Sequence, residues 1–111
     1  MKRLIRVNFK RIWNDKPSGS IDLTGCTWDQ LYNWLQFTLP SDYNMNDIGT
    51  KLQIDHVIPL SSFNQEDTSD ACKWYNLQLL TKEDNLKKSN NISQYHINIQ
   101  SMRLAIIIFL F

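Results

Sequence analysis

The sequence predicts a small α+β domain in which one helix precedes two short strands and a second helix. Apolar residues recur at helical spacing after Thr27. Residues 51–60 and 74–80 read as strands, and a helix-capping residue follows at Thr81. The chain has 111 residues, of which 42% are apolar and 21% charged, so it fits one globular domain with a modest core.

The first helix is predicted over the run TWDQLYNWLQFTL. Thr27 and Gln30 have the spacing of a capping box, in which each side chain accepts a hydrogen bond from the backbone of the other residue. Pro40 then ends the helix. One face is apolar and consists of Trp28, Leu31, Tyr32, Leu35 and Leu39. We expect this face, including its aromatic residues, to lie in the core.

The first strand carries an acid and a histidine side by side, Asp55 and His56. Pro59 cannot donate a hydrogen bond to a sheet, so the strand should end just after His56 and leave the imidazole at the rim. The simplest interpretation is a structural pair joined by hydrogen bonds.

The second helix is predicted directly after the second strand. Thr81 is its N-cap, and Glu83 and Asp84 stand in its first turn, where the positive end of the helix dipole favours acids. Lys87 and Lys88 stand near its end, where cations are favoured.

Charge is unevenly distributed, although the formal net charge is only +1. Bases dominate residues 1–16 and 73–111, whereas acids dominate residues 17–72. Two basic ends around an acidic middle could form a surface for a polyanion, or they could be ordinary solvated side chains. Cys26 and Cys72 are the only cysteines, and no Cys-x-x-Cys occurs, so we expect neither a structural zinc site nor a disulfide framework.

The two ends of the chain carry no recognisable targeting segment. The basic start lacks the apolar run of a secretory signal, so we expect an intracellular protein that is not secreted. The tail run AIIIFLF is far shorter than the roughly 20 residues of a spanning helix, so no membrane is expected. We expect the tail to pack as a closing strand or helix against the apolar face of the first helix.

A second interpretation of the acid–histidine pair comes from polar residues further along the chain. Asn76 lies in the second strand, Asn85 on the following helix, and Lys88 three residues beyond it on the same side. Asp55 and Asn85 offer hard oxygen ligands of the kind that Mg²⁺ prefers. His56, with an ordinary pKa near 6.5, can take a proton from water, and Lys88 can hold a phosphate oxygen. Together these suit metal-assisted cleavage of a phosphodiester.

The runs IDHVIPLSSF and WYNLQLLTKEDNLKKSN resemble the HNH endonuclease superfamily, whose active site is a ββα-metal finger. They are most similar to phage and large-virus HNH endonucleases, and LTGCTWDQLYNWLQFTL is similar to the helix that precedes the finger in those proteins. The resemblance is strongest over residues 52–90. It divides the chain into a basic N-terminal segment (1–22), an HNH nuclease domain (23–91) and an apolar C-terminal tail of unknown role (92–111).

The resemblance implies a role for each site residue. His56 matches the general base that activates water, and Asp55 matches a metal ligand. Asn76 matches the asparagine that braces the loop holding the histidine. Asn85 matches the second protein ligand, and Lys88 matches a basic residue near the scissile phosphate. Many relatives carry histidine where Asn85 stands, and the asparagine variant favours Mg²⁺ or Mn²⁺ over zinc.

The function that this resemblance implies is metal-dependent hydrolysis of phosphodiester bonds, by nicking or cutting double-stranded DNA. Specificity should be weak, because the sequence contains no recognisable module for reading bases. Two alternatives stay open. One is a catalytically inactive DNA-binding remnant of such a nuclease. The other is an interaction module for partners other than nucleic acids, in which the acid–histidine pair is structural.

Overall fold

Two strands and three α-helices make up the regular structure of a computed structural model that describes residues 24–63 and 69–110. In chain order they are α1 (Trp28–Phe37), β1 (Leu52–His56), β2 (Leu77–Thr81), α2 (Lys82–Lys88) and α3 (Gln94–Leu110). The predicted α+β class is confirmed. The basic N-terminal segment predicted over residues 1–22 lies outside the described residues.

Helix α1 begins at the capping box that the sequence predicts. The backbone N–H of Gln30 donates to Thr27 Oγ1 over 3.2 Å, and the backbone N–H of Thr27 donates to Gln30 Oε1 over 2.9 Å. Of the predicted apolar face, Leu31 and Leu35 are in the core with no exposed surface, and the other three residues are partly buried against it. Trp34 is also buried, although it was not predicted to belong to that face.

The two strands form one antiparallel sheet that is shorter than predicted. His56 lies opposite Leu77, and Leu52 lies opposite Thr81. β1 ends at His56, as the position of Pro59 predicts. The prediction for the second strand was too long at its start, because residues 74–76 form a 3₁₀ turn before β2 begins.

Alternation along the strands gives the sheet two different faces. One face is apolar and joins α1 in the core, and it carries Leu52, Ile54, Leu77 and Leu79. On the other face Asp55 and Gln78 lie directly opposite each other. Asp55 and His56, neighbours in the chain, therefore point to opposite sides of the sheet.

Side chains of α1 complete the hydrogen bonds along the outer edge of β2. Trp34 Nε1 donates to the carbonyl of Leu77 over 2.8 Å. One turn later, Thr38 Oγ1 accepts from the backbone N–H of Leu79 over 3.0 Å. The backbone N–H and C=O groups of Leu77 and Leu79 point away from β1. Buried backbone groups are costly when unpaired, so these two contacts fix α1 against the sheet.

The tail forms α3, which is one of the two predicted outcomes. Leu104 and Ile107 pack against the core cluster that contains Leu31 and Leu35. Gln100 is buried, whereas Met102 is 65% exposed, so only one side of α3 faces the domain. Within the described part of the chain, none of the helices has the length and apolar character needed to cross a bilayer.

Thr38→Val should lower the free energy of unfolding by about 1–3 kcal/mol, because the buried N–H of Leu79 loses its acceptor at almost constant side-chain volume. Urea unfolding measures this. Thr50→Val is the matched control, since Thr50 Oγ1 donates only to the carbonyl of Asp47 on the surface. Equal effects of the two substitutions would contradict the importance of the Leu79 contact.

Candidate functional site

The charged centre of the candidate site is a buried ion pair between β1 and α2. Lys88 Nζ lies 3.3 Å from Asp55 Oδ2 and 3.4 Å from Oδ1, and the two side chains are only 1% and 9% exposed. Lys88 Nζ also donates to the backbone carbonyl of His56 over 2.8 Å. A further donor, Gln78 Nε2, reaches Asp55 Oδ2 over 2.9 Å. The carboxylate is therefore satisfied by protein groups on both oxygens.

Helix α2 presents Asn85 and Lys88 to β1 because it starts immediately after β2. Thr81 caps it, with Oγ1 accepting from the N–H of Asp84 over 3.1 Å. Asn85 Nδ2 donates to Gln53 Oε1, and Gln53 precedes Asp55 by two residues, so both lie on the same face of β1. Asn85 and Asp55, the two predicted metal ligands, therefore share one side of the sheet.

His56 lies on the opposite face of β1 and is half-buried. Its Nε2 lies 3.5 Å from Cys72 Sγ. Burial lowers the pKa of His56, Asp55 opposes this by raising it, and Lys88 lowers it further. Burial raises the pKa of Cys72 to about 12, so its thiol stays protonated. His56 is therefore held as a neutral imidazole near neutral pH, which is the form that can accept a proton.

Asn76 ties together the segment that connects the two strands. Its Oδ1 accepts from the N–H of Ile58 over 2.9 Å, and its Nδ2 donates to the carbonyls of Ile58 and Ala71 over 3.1 and 2.8 Å. The carbonyl of Asn76 also accepts from the N–H of Val57. These bonds hold the residues that follow His56, which is the contact that the predicted brace requires. Its effect on catalysis stays a prediction.

Lys88 is the residue whose placement differs most from its expected surroundings. A phosphate contact requires an accessible ammonium, whereas Lys88 Nζ is enclosed by Asp55 and the carbonyl of His56. Its neighbour Lys87 is 71% exposed and pairs with Glu83 at 3.4 Å. Of these two lysines, Lys87 has the exposure that a phosphate contact needs, and Lys88 has the geometry of a buried counter-ion.

The donor chemistry of Asp55 and Asn85 fits a hard divalent cation, since both side chains carry oxygen. The Lys88 ammonium already lies against Asp55, so an ion held there would require Lys88 to move away from the like charge. Among residues 24–63 and 69–110, no group of three or more His, Cys, Asp or Glu side chains could hold a metal ion. The candidate ligand set therefore consists of one acid and one amide.

Sequence reasoning missed two residues that touch the predicted ones. Gln78 is fully buried opposite Asp55, and its signal was a polar residue within the apolar run LQLL. Cys72 lies against the ring of His56, and no sequence pattern signals this contact, because Cys72 reaches His56 through a turn rather than a regular element.

Comparison with protein-family models, with curated proteins and with solved structures finds no match to this chain.

Lys88→Met should destabilise the fold by about 3–5 kcal/mol, because Asp55 would be left as an uncompensated buried charge. Lys87→Met should change stability by less than about 1 kcal/mol, since exposed ion pairs contribute little. Urea unfolding at pH 7 compares the two. If both lysines gave the same small change, the ion pair of Lys88 would not be an important contact in solution.

Stability should fall as the pH drops below 6.5, the ordinary pKa of histidine. The pKa of His56 is lowered in the folded protein, so in this window the unfolded chain binds a proton that the folded chain does not. His56→Gln should therefore flatten the dependence of Tm on pH between pH 7.5 and 5. His96→Gln, at the more exposed second histidine, should flatten it less. An unchanged slope in His56→Gln would contradict the lowered pKa of the His56 imidazole.

Proposed function

We propose that this chain is a metal-dependent endonuclease of the HNH type that hydrolyses phosphodiester bonds in double-stranded DNA. The observation that carries the proposal is the order in which consecutive segments supply the motif residues; His56 lies on the opposite face of β1 from Asp55 and Asn85. Asp55 and His56 end β1, Asn76 immediately precedes β2, and Asn85 and Lys88 project from α2 towards β1. This strand–strand–helix order supports assigning the region to a ββα-metal finger.

The chemical centre of the proposal is the neutral imidazole of His56. It takes a proton from the attacking water, and Asn76 holds the backbone that follows it. Asp55 and Asn85 would hold Mg²⁺ or Mn²⁺. When bound, the ion would stabilise negative charge on the phosphate and the leaving group.

The buried position of Lys88 changes the task that we assign to it. Its ammonium contacts Asp55 and the carbonyl of His56 at the same time, which holds the end of β1 against α2, and it would withdraw from the carboxylate when an ion binds there. Exposed basic side chains such as Lys87 would then make the contacts with DNA phosphates. Action on DNA would be intracellular, wherever the target DNA lies.

One observation favours an inactive DNA-binding remnant as the second candidate. The carboxylate of Asp55 is neutralised by Lys88 within the protein, as it would be in a site that no longer takes up a metal ion. Binding to DNA would then weaken steeply with salt, as in a nuclease, but no strand would be cut. Salt-independent or absent DNA binding would instead favour an interaction module for other partners.

His56→Ala should lower plasmid nicking in Mg²⁺ by about 10²–10⁴-fold, because a positioned general base contributes on that order. Nicking of supercoiled DNA with and without EDTA measures this, and fluorescence anisotropy should show unchanged DNA binding. His96→Ala is the control for loss of an imidazole and should keep most of the nicking: His96 contacts Ser93, which precedes α3, and has no assigned role, although burial lowers its pKa and the charges of Asp55 and Lys88 also influence it. A parent chain that binds DNA without nicking it would establish the remnant; nicking by His56→Ala at the parent rate would exclude His56 as the base.

A further inference from the structure

Two consecutive hydrogen bonds through the buried side chain of Gln78 connect the C-terminal helix to the candidate site. Arg103 Nη1, on α3, donates to Gln78 Oε1 over 3.0 Å. The amide nitrogen of the same Gln78 side chain donates to Asp55 Oδ2 over 2.9 Å. Gln78 is fully buried, so its amide group is shielded from bulk solvent. A single glutamine therefore bridges a cation on α3 and the acid of β1.

The donors and acceptors of these two hydrogen bonds are fixed by the chemical groups of Arg103 and Asp55. A guanidinium can only donate hydrogen bonds, and an ionised carboxylate can only accept them. The Gln78 amide satisfies both neighbours in one orientation, with its oxygen towards Arg103 and its nitrogen towards Asp55. Rotating the amide by 180° would place N–H groups against the guanidinium and oxygen against the carboxylate. Arg103 thus selects the orientation in which Gln78 supports Asp55.

Arg103 is itself held in place by a second glutamine. Its Nη1 donates to Gln100 Oε1 over 2.9 Å, and Gln100 Nε2 donates to the carbonyls of Tyr75 and Leu77 over 2.9 and 3.0 Å. Gln100 is buried, and the same rule orients its amide. Its oxygen faces the guanidinium, which can only donate, and its nitrogen faces carbonyls, which can only accept. These bonds fix the position of α3 relative to the start of β2, directly beside Gln78.

We propose that Arg103 is a positioning residue of the candidate site, which acts on Asp55 through the amide of Gln78. Helix α3 is then part of the site and not an appendage to it. The orientation of the carboxylate depends on α3, while Lys88 supplies its charge from α2. The effect on catalysis rests on the proposed nuclease function, whereas the orientation of Gln78 can be tested without it.

The direct test follows exchange of the Gln78 side-chain amide protons by NMR. In the parent chain these protons should exchange at least about tenfold more slowly than those of the exposed Gln36, because buried hydrogen-bonded groups open rarely. Arg103→Met should accelerate exchange at Gln78, and Arg103→Lys should restore part of the protection, because lysine is also donor-only. Met102→Ala, on the exposed side of α3, should change nothing. Exchange at Gln78 as fast as at Gln36 in the parent would overturn the proposal without any variant.

The second test measures nicking kinetics under conditions where each variant is folded. Arg103→Met should lower kcat by about ten- to a hundredfold with KM unchanged, since small displacements of reacting groups have effects on that order. Adding Arg103→Met to Gln78→Met should lower kcat no further, because Arg103 acts on Asp55 only through Gln78. Unchanged kcat in Arg103→Met, with an active parent, would overturn the positioning of Asp55. An inactive parent, together with a Gln78 amide that loses its protection in Arg103→Met, would refute the nuclease function but support the orientation of Gln78 by Arg103.

Discussion

The buried ion pair between Asp55 and Lys88 is the contact on which the candidate site depends. Removing two charges from water is unfavourable unless each is fully paired, and here the carboxylate receives the lysine and Gln78 while the ammonium also reaches the carbonyl of His56. Because Lys88 comes from α2 and Asp55 from β1, the pair fixes the helix on the sheet at one point. The Asn85 contact with Gln53, one turn earlier, sets the helix direction.

Two adjacent residues are thereby placed in opposite electrostatic settings. Strand alternation sends Asp55 to the face covered by α2 and the polar network, and it sends His56 towards the buried thiol of Cys72. A cation lies against Asp55, whereas burial lowers the pKa of His56 and so favours its neutral form. A histidine that is neutral near pH 7 can accept a proton.

The parts of this fold that could be predicted from the sequence are those encoded by short-range rules. The capping box of α1 and the end of β1 before Pro59 follow from a few neighbouring residues. The burial of Lys88 could not be predicted, because lysine is usually exposed and its partner Asp55 is 33 positions away. The sequence did not predict which side of α3 faces the domain, because α3 carries apolar residues on all of its sides. The inner side is the one on which Gln100 and Arg103 form hydrogen bonds with the rest of the domain.

The outer edges of the small sheet bear on how another molecule could bind. Beyond β2, the carbonyl of Leu77 accepts from both Trp34 and Gln100. Beyond β1, the carbonyl of Leu52 accepts from the N–H of Gly49, and Lys88 reaches the carbonyl of His56. Exposed strand edges commonly recruit an extended peptide as an additional strand. At these positions an added strand would have to displace α1, α3 or α2 side chains, so recognition by β-augmentation is disfavoured, and a partner must engage side chains and helix surfaces.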